Sequence, residues 1–206
     1  MEINKLIKYN LFPLGGDREG LVAMEQRKKI HPHKFTLWVG IGSLLMMFAG
    51  LTSAYIVKRN LANWQTFDLP SFFWYSTVAI VASSVTIYLA EKAFKQREMS
   101  KYRSLVVSTL VLGVLFIVFQ LLGFQQLYAH EVTLTGNVSY SFIYVIVLLH
   151  AAHVVGGIIV LLVLFAKAFS RKTRTYNSVP VELAGTYWHF VDALWIYLLL
   201  FLIMIR

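Results

Sequence analysis

Four ionisable side chains fall inside long apolar stretches of this sequence: His150, His153, His189 and Asp192. His189 and Asp192 are three residues apart in Tyr187-Trp188-His189-Phe190-Val191-Asp192-Ala193-Leu194-Trp195, so a helix sets them one turn apart on one face. His150 and His153 repeat that spacing in the preceding stretch. Two chemistries suit these residue types. Neutral imidazole is the commonest metal ligand and can hold haem iron axially, and a histidine near a carboxyl inside a membrane can exchange a proton with it. An aspartate at mid-span costs on the order of 3 kcal/mol on insertion scales. Asp192 is therefore expected to face protein and to be paired.

The metal reading lacks a complete ligand set. The chain contains no cysteine, which removes disulfides, iron–sulfur clusters and thiol chemistry. No Cys, Glu or third His completes the His150/His153 pair within its own stretch, and no histidines on different stretches share a depth suited to axial haem ligation. The favoured reading is histidines that hydrogen-bond between helices, with Asp192 the residue most suited to a functional role. Two rivals stay open. One is a haem- or metal-binding membrane oxidoreductase using His150, His153 and His189. The other is an ion-coupled transporter with His189 and Asp192 lining a pathway, although the helices show no inverted repeat and no interior proline.

The elements that position these residues follow from composition. Of 206 residues 58% are hydrophobic and 14% charged, far from a soluble domain. Crossing the hydrocarbon core takes roughly 20 apolar residues, and five segments qualify, at about 35–57, 72–90, 105–127, 141–165 and 183–205. The expected fold is thus an all-α integral membrane bundle of five transmembrane helices, with a cytoplasmic or interfacial segment over 1–34 and the bundle over 35–206. Residues 1–34 carry no signal-type apolar core. There, 12–16 reads as a turn and 21–29 as a basic interfacial helix.

Charge sets the expected orientation. Sixteen Lys and Arg lie in 1–34, 91–104 and 166–182, against Lys58, Arg59 and Arg206 on the other side. By the positive-inside rule the N-terminus is cytoplasmic and the C-terminus external or periplasmic. The net charge of +9 thereby reports topology and contact with anionic headgroups, not nucleic acid.

Stripes of small or polar residues mark the expected buried faces. They are Gly40, Ser43, Met47, Gly50 and Ala54 on the first helix, and Ser76, Ala79, Ser83, Thr86 and Ala90 on the second. Thr109, Gly113, Phe116, Gln120 and Gly123 form the third, and His150, His153, Gly157 and Leu161 the fourth. The fifth stripe is Glu182, Gly185, His189, Asp192 and Ile196. At about 1.5 Å of rise per residue, Asp192 lies roughly 14 Å and His153 roughly 18 Å from their cytoplasmic helix ends. They are expected to meet, and Gln120 is expected at the level of His150. Trp188 and Trp195 share a face and suit core packing or a lipid cradle. Glu182 complements the dipole at the start of the last helix. Trp64, Trp74, Tyr75, Tyr128, Tyr140 and Tyr144 read as an outer aromatic belt, and Tyr102 and Tyr176 as an inner one. The chain carries no phosphate loop, no activated nucleophile and no acidic metal cluster.

Glu182 followed by Tyr187-Trp188-His189-Phe190-Val191-Asp192 and Trp195 closely resembles the final helix of subunit III of haem-copper respiratory oxidases. His150-Ala-Ala-His153-Val-Val-Gly156-Gly157 is similar to that family's His-x-x-His-x-x-x-Gly stretch, and Gly113, Phe116 and Gln120 fall in its third-helix pattern. The resemblance covers 35–205. It implies an accessory, non-redox subunit of a bacterial inner-membrane cytochrome c or quinol oxidase, beside catalytic subunit I and with subunits II and IV as further partners. Haem and copper are then expected in those partners and none in this chain, with structural phospholipid bound and proton uptake during oxygen reduction supported. A place in a respiratory supercomplex is a further implication. The lipid-site and polar-network candidates are Gln120, His150, His153, Glu182, Trp188, His189, Asp192 and Trp195. Two departures stand out. Long family members have seven helices, so this chain resembles the shorter form, with extra helices of the catalytic subunit expected in the gap. Many members also bury a glutamate in the helix corresponding to 35–57, whereas no acid occurs here between Glu25 and Asp68.

Overall fold

A computed structural model of the chain describes residues 32–59, 69–129, 138–169 and 178–205. The expected turn at 12–16, the basic helix at 21–29, Trp64 and Tyr176 lie outside those residues. Among the described residues five helices are long and apolar enough to cross a membrane. They are α1 (Pro32–Lys58), α2 (Phe72–Lys95), α3 (Met99–Ala129), α4 (Val138–Phe169) and α5 (Val179–Ile205). The described residues contain no strand. The chain divides into two units, Met1–Thr36 and Leu37–Arg206. What is described of the first is the opening of α1, where Pro32 takes the first helical position and Thr36 Oγ1 donates to its carbonyl at 3.1 Å.

The helices run past the apolar windows read from the sequence. Helices of 24 to 32 residues are about 36 to 48 Å long, more than the roughly 30 Å hydrocarbon core. Their polar ends extend beyond that core. Helix α2 stops in a Schellman turn: Arg97 N donates to Phe94 O and Glu98 N to Ala93 O, both at 3.0 Å. Arg97 holds the left-handed position with φ of 61°. Two residues later α3 begins, so α2 and α3 form a tight antiparallel pair.

In the second unit α2, α3, α4 and α5 close into a ring, α2 and α4 each packing on both α3 and α5. The buried faces of α2 and α3 follow the small-residue stripes, whereas Ile196 of the expected α5 stripe is exposed. All five stripe residues of α3 are buried, as are Ser76, Ala79, Ser83 and Ala90 of α2. Small residues let these helix backbones approach closely where lipid supplies no hydrophobic drive. Helix α1 departs from the expectation. Its buried residues are Phe48, Thr52 and Tyr55, while Gly40, Ser43 and Gly50 are exposed. A Cβ added at Gly40 or Gly50 would meet no protein atom within 4 Å. The contact is aromatic instead: the Phe48 ring lies 6.3 Å from His150 and 6.0 Å from His153, and Tyr55 lies 5.5 Å from Phe201.

Candidate functional site

The ring is filled along its axis by two tryptophans of α5, seven residues apart and therefore on one face. Trp188 enters where α3 and α4 carry glycine. A Cβ at Gly113 would sit 2.8 Å from its Cη2, and one at Gly157 3.0 Å from its Cε3. Its Nε1 donates to Ser83 Oγ of α2 at 2.9 Å. Trp195 fills the next layer, 5.3 Å from Phe116 and 5.7 Å from Phe73. Its Nε1 donates to Thr77 Oγ1 at 2.9 Å. Both indole N–H groups thus find the partner that a buried tryptophan needs.

His150 belongs to this aromatic axis. It is 0% exposed and lies 5.2 Å from Trp195 and 5.9 Å from Phe116, besides its contact with Phe48. Among the described residues neither ring nitrogen has a hydrogen-bond partner. The expected meeting of Gln120 with His150 does not occur. Gln120 Nε2 donates to Ser76 Oγ at 3.0 Å, and its Oε1 has no partner among the described residues. His153 is half-buried and turned to its own helix, donating from Nδ1 to Leu149 O at 2.7 Å. Its carbonyl accepts Tyr187 Oη at 3.1 Å. The expected His153–Asp192 pair is therefore corrected. Equal depth on two helices does not fix side-chain direction, and His153 is held by its own preceding turn.

His189 and Asp192 face α2. His189 Nδ1 shares a 2.6 Å hydrogen bond with Ser84 Oγ. Asp192 is 4% exposed, and neither of its carboxyl oxygens has a hydrogen-bond partner among the described residues. Toward the end of the same seam, Lys95 Nζ lies 2.7 Å from Glu91 Oε1 and 3.6 Å from Glu182 Oε1. Glu182, a first-turn acid of α5, thereby ties the start of α5 to the end of α2. Glu91 Oε2 would be 3.2 Å from a Cβ at Gly185, so the bare α5 backbone gives the carboxylate its room.

The eight sequence candidates thus separate into two groups. Gln120, His150, Trp188 and Trp195 line the axis, whereas Glu182, His189 and Asp192 lie on the α2/α5 seam, with His153 set apart on α4. Sequence reasoning missed Ser84, Glu91 and Lys95. Their spacings of seven and eleven residues place them on one face of α2, and that period is the signal that could have found them. Among the described residues no three of His, Cys, Asp and Glu gather as a metal-binding group.

A family model described as cytochrome c oxidase subunit III matches residues 58–205. The match covers α2 to α5, the helices of the ring, and meets α1 at its last residue. Among curated relatives, cytochrome c oxidase subunit 3 of Bacillus subtilis is 25% identical over 96% of this chain and 95% of its own length. That of Bacillus sp. strain PS3 is 27% identical over 78% of this chain and 80% of its own length. A probable cytochrome c oxidase subunit 3 of Nocardia farcinica is 30% identical, covering 77% and 80%. Five spanning helices and bacterial relatives make the chain a multi-pass protein of the bacterial inner membrane. A family match over most of its length, ring and seam included, shows that this chain belongs to the cytochrome c oxidase subunit III family and is one subunit of a multi-subunit oxidase.

Proposed function

We propose that the chain is an accessory subunit that performs no redox step and stabilises the catalytic haem-copper subunit during oxygen reduction to water. Supporting roles are phospholipid binding on its outer faces and support of proton uptake. The observation that carries this reading is the enclosure of His150. His150 is shut in by Phe48, Phe116 and Trp195, and His153 and His189 already hold hydrogen bonds elsewhere. Side chains so committed suit packing better than ligation.

The partners implied are catalytic subunit I, subunits II and IV and membrane lipid, with the redox centres in those subunits. Lipid suits the outward faces, where Trp38, Met46, Val78 and Leu148 are exposed. The basic ends set the orientation, with the N-terminus and residues 1–34 on the cytoplasmic side and the C-terminus outside. Copurification from membranes through a tag on this chain tests the reading. A haem-copper catalytic subunit is expected among the companions, and the separated chain is expected to show no haem absorbance. Haem retained by the isolated chain, or a preparation without any oxidase subunit, would overturn it.

A further inference from the structure

Along the ring the exposed side chains at membrane depth are chiefly apolar, as at Val78, Leu121, Leu148 and Ile159. The α2/α5 seam differs. Ser84, Tyr88, Glu91 and Lys95 follow one another at spacings of four, three and four residues, which keeps them on one face of α2. Tyr88 is 60% exposed. Opposite them on α5 lie Glu182 and His189. At the Lys95 end two carboxylates share one ammonium, Glu91 Oε1 at 2.7 Å and Glu182 Oε1 at 3.6 Å. Both acids stay partly open, with 23% and 25% of their side chains exposed. The trio thus leaves one negative charge in surplus on a chain whose net charge is +9.

Deeper along the seam stands His189, ten residues from Val179 at the start of α5 and so roughly 15 Å along the helix. It is half-buried. Its Nδ1 is engaged by Ser84 Oγ at 2.6 Å, and whichever of the two donates, Nε2 keeps either a proton or a lone pair. Nε2 makes no hydrogen bond among the described residues. A polar atom left unanswered in hydrocarbon is costly, and no water is at hand there to answer it. His189 is therefore suited to a partner from outside the chain.

We infer that the outward side of this seam is the docking surface for one transmembrane helix of another oxidase subunit. That helix carries a Lys or Arg level with Glu91 and Glu182, which balances the surplus carboxylate. About seven residues deeper it carries a Ser, Thr, Asn or Gln that meets His189 Nε2. Seven residues return a helix to the same face roughly 10 Å further along, and Glu91 and Ser84 have that same spacing on α2. Tyr88 of α2 and the exposed Ala193 of α5 flank the contact. A phospholipid fits the surface less well. An anionic headgroup would meet carboxylates, and acyl chains offer no hydrogen-bonding group at the depth of His189. The inference rests on membership of a multi-subunit oxidase, and it stands whether or not the chain performs a redox step.

Photocrosslinking of the assembled complex in its own membranes tests the surface. A benzophenone amino acid is placed at position 88, and in a second preparation at position 193, and the adducts are identified by mass spectrometry. The expected adduct at both positions is a transmembrane peptide of another oxidase subunit with a Lys or Arg at its end nearer Lys95. Adding Glu91→Gln/His189→Leu is expected to lower the yield per folded chain about tenfold, the equivalent of two lost polar contacts in a membrane. His189→Gln alone, which keeps a donor and an acceptor, is expected to retain the yield. Adducts with lipid alone, adducts with a second copy of this chain, or a partner peptide without a basic residue would overturn the docking surface. So would an equal yield in Glu91→Gln/His189→Leu and the parent. Haem in the separated chain is read independently, so a seam adduct together with retained haem rejects the accessory reading alone.

Discussion

The Trp188 side chain meets three other helices, and its surroundings leave it little freedom. Its ring tip faces Gly113, its other edge faces Gly157, and its N–H is held by Ser83. Close-packed interiors resist added volume because side chains must leave their rotamers or backbones must shift. Gly113→Ala is therefore expected to lower stability by about 1–3 kcal/mol, read as thermal unfolding in detergent. Combining it with Trp188→Phe, which removes the ring that reaches Gly113, should restore part of that loss. Gly42→Ala serves as the control, since a Cβ there meets no protein atom within 4 Å. Equal loss from both glycine changes would refute the packing account. The pairing of the tryptophans was legible in the sequence, because a spacing of seven residues returns to one helix face. The partners of the polar groups were not. Rise per residue places His153 and Asp192 at similar depths, but a histidine can satisfy itself on the preceding turn, and this one bonds Leu149 O. Ser84 stands beside Ser83 and two residues before Thr86, and only its helical relation to Glu91 and Lys95 distinguishes it from the other hydroxyls of α2.

Helix α1 is joined to its neighbours by a few side chains. Phe48 makes edge contacts with His150 and His153, and Tyr55 with Phe142 and Phe201. Thr52 Oγ1 shares a 3.0 Å hydrogen bond with Tyr197 Oη. Aromatic pairs contribute about 0.5–1.5 kcal/mol each, and an interhelical hydrogen bond in a membrane about 0.6 kcal/mol on average. Such a helix should loosen before the ring does. The double change Phe48→Ala/Thr52→Val is expected to speed hydrogen–deuterium exchange over residues 37–58, with α2 to α5 still protected. Uniform acceleration across all five helices would instead make α1 part of the ring's own stability. The five spans themselves were legible because length and hydropathy suffice to recognise a membrane helix. The contacting face of α1 was not. Small residues mark a buried face when backbones approach closely, whereas α1 makes its contacts through longer side chains and leaves Gly40 and Gly50 outward. Helix ends were also longer than read, since charged and polar residues such as Lys101 and Arg103 continue the helix past the apolar window.

For the molecule as a whole, orientation decides which compartment the α2–α3 turn and the start of α5 face. The Lys95–Glu182 contact puts the end of α2 and the start of α5 at one surface, the surface that also carries the basic α2–α3 turn. Basic loops resist translocation, so that surface is expected to be cytoplasmic. Because the chain lacks cysteine, one introduced thiol reports its own side without background. Ser71, at the start of α2, is exposed, and Lys101, in the first turn of α3, keeps 71% of its side chain exposed. A membrane-impermeant maleimide added to intact cells is expected to label Ser71→Cys and to spare Lys101→Cys until the cells are opened. The reversed pattern would put the α2–α3 turn on the outer surface and overturn the orientation drawn from the basic loops.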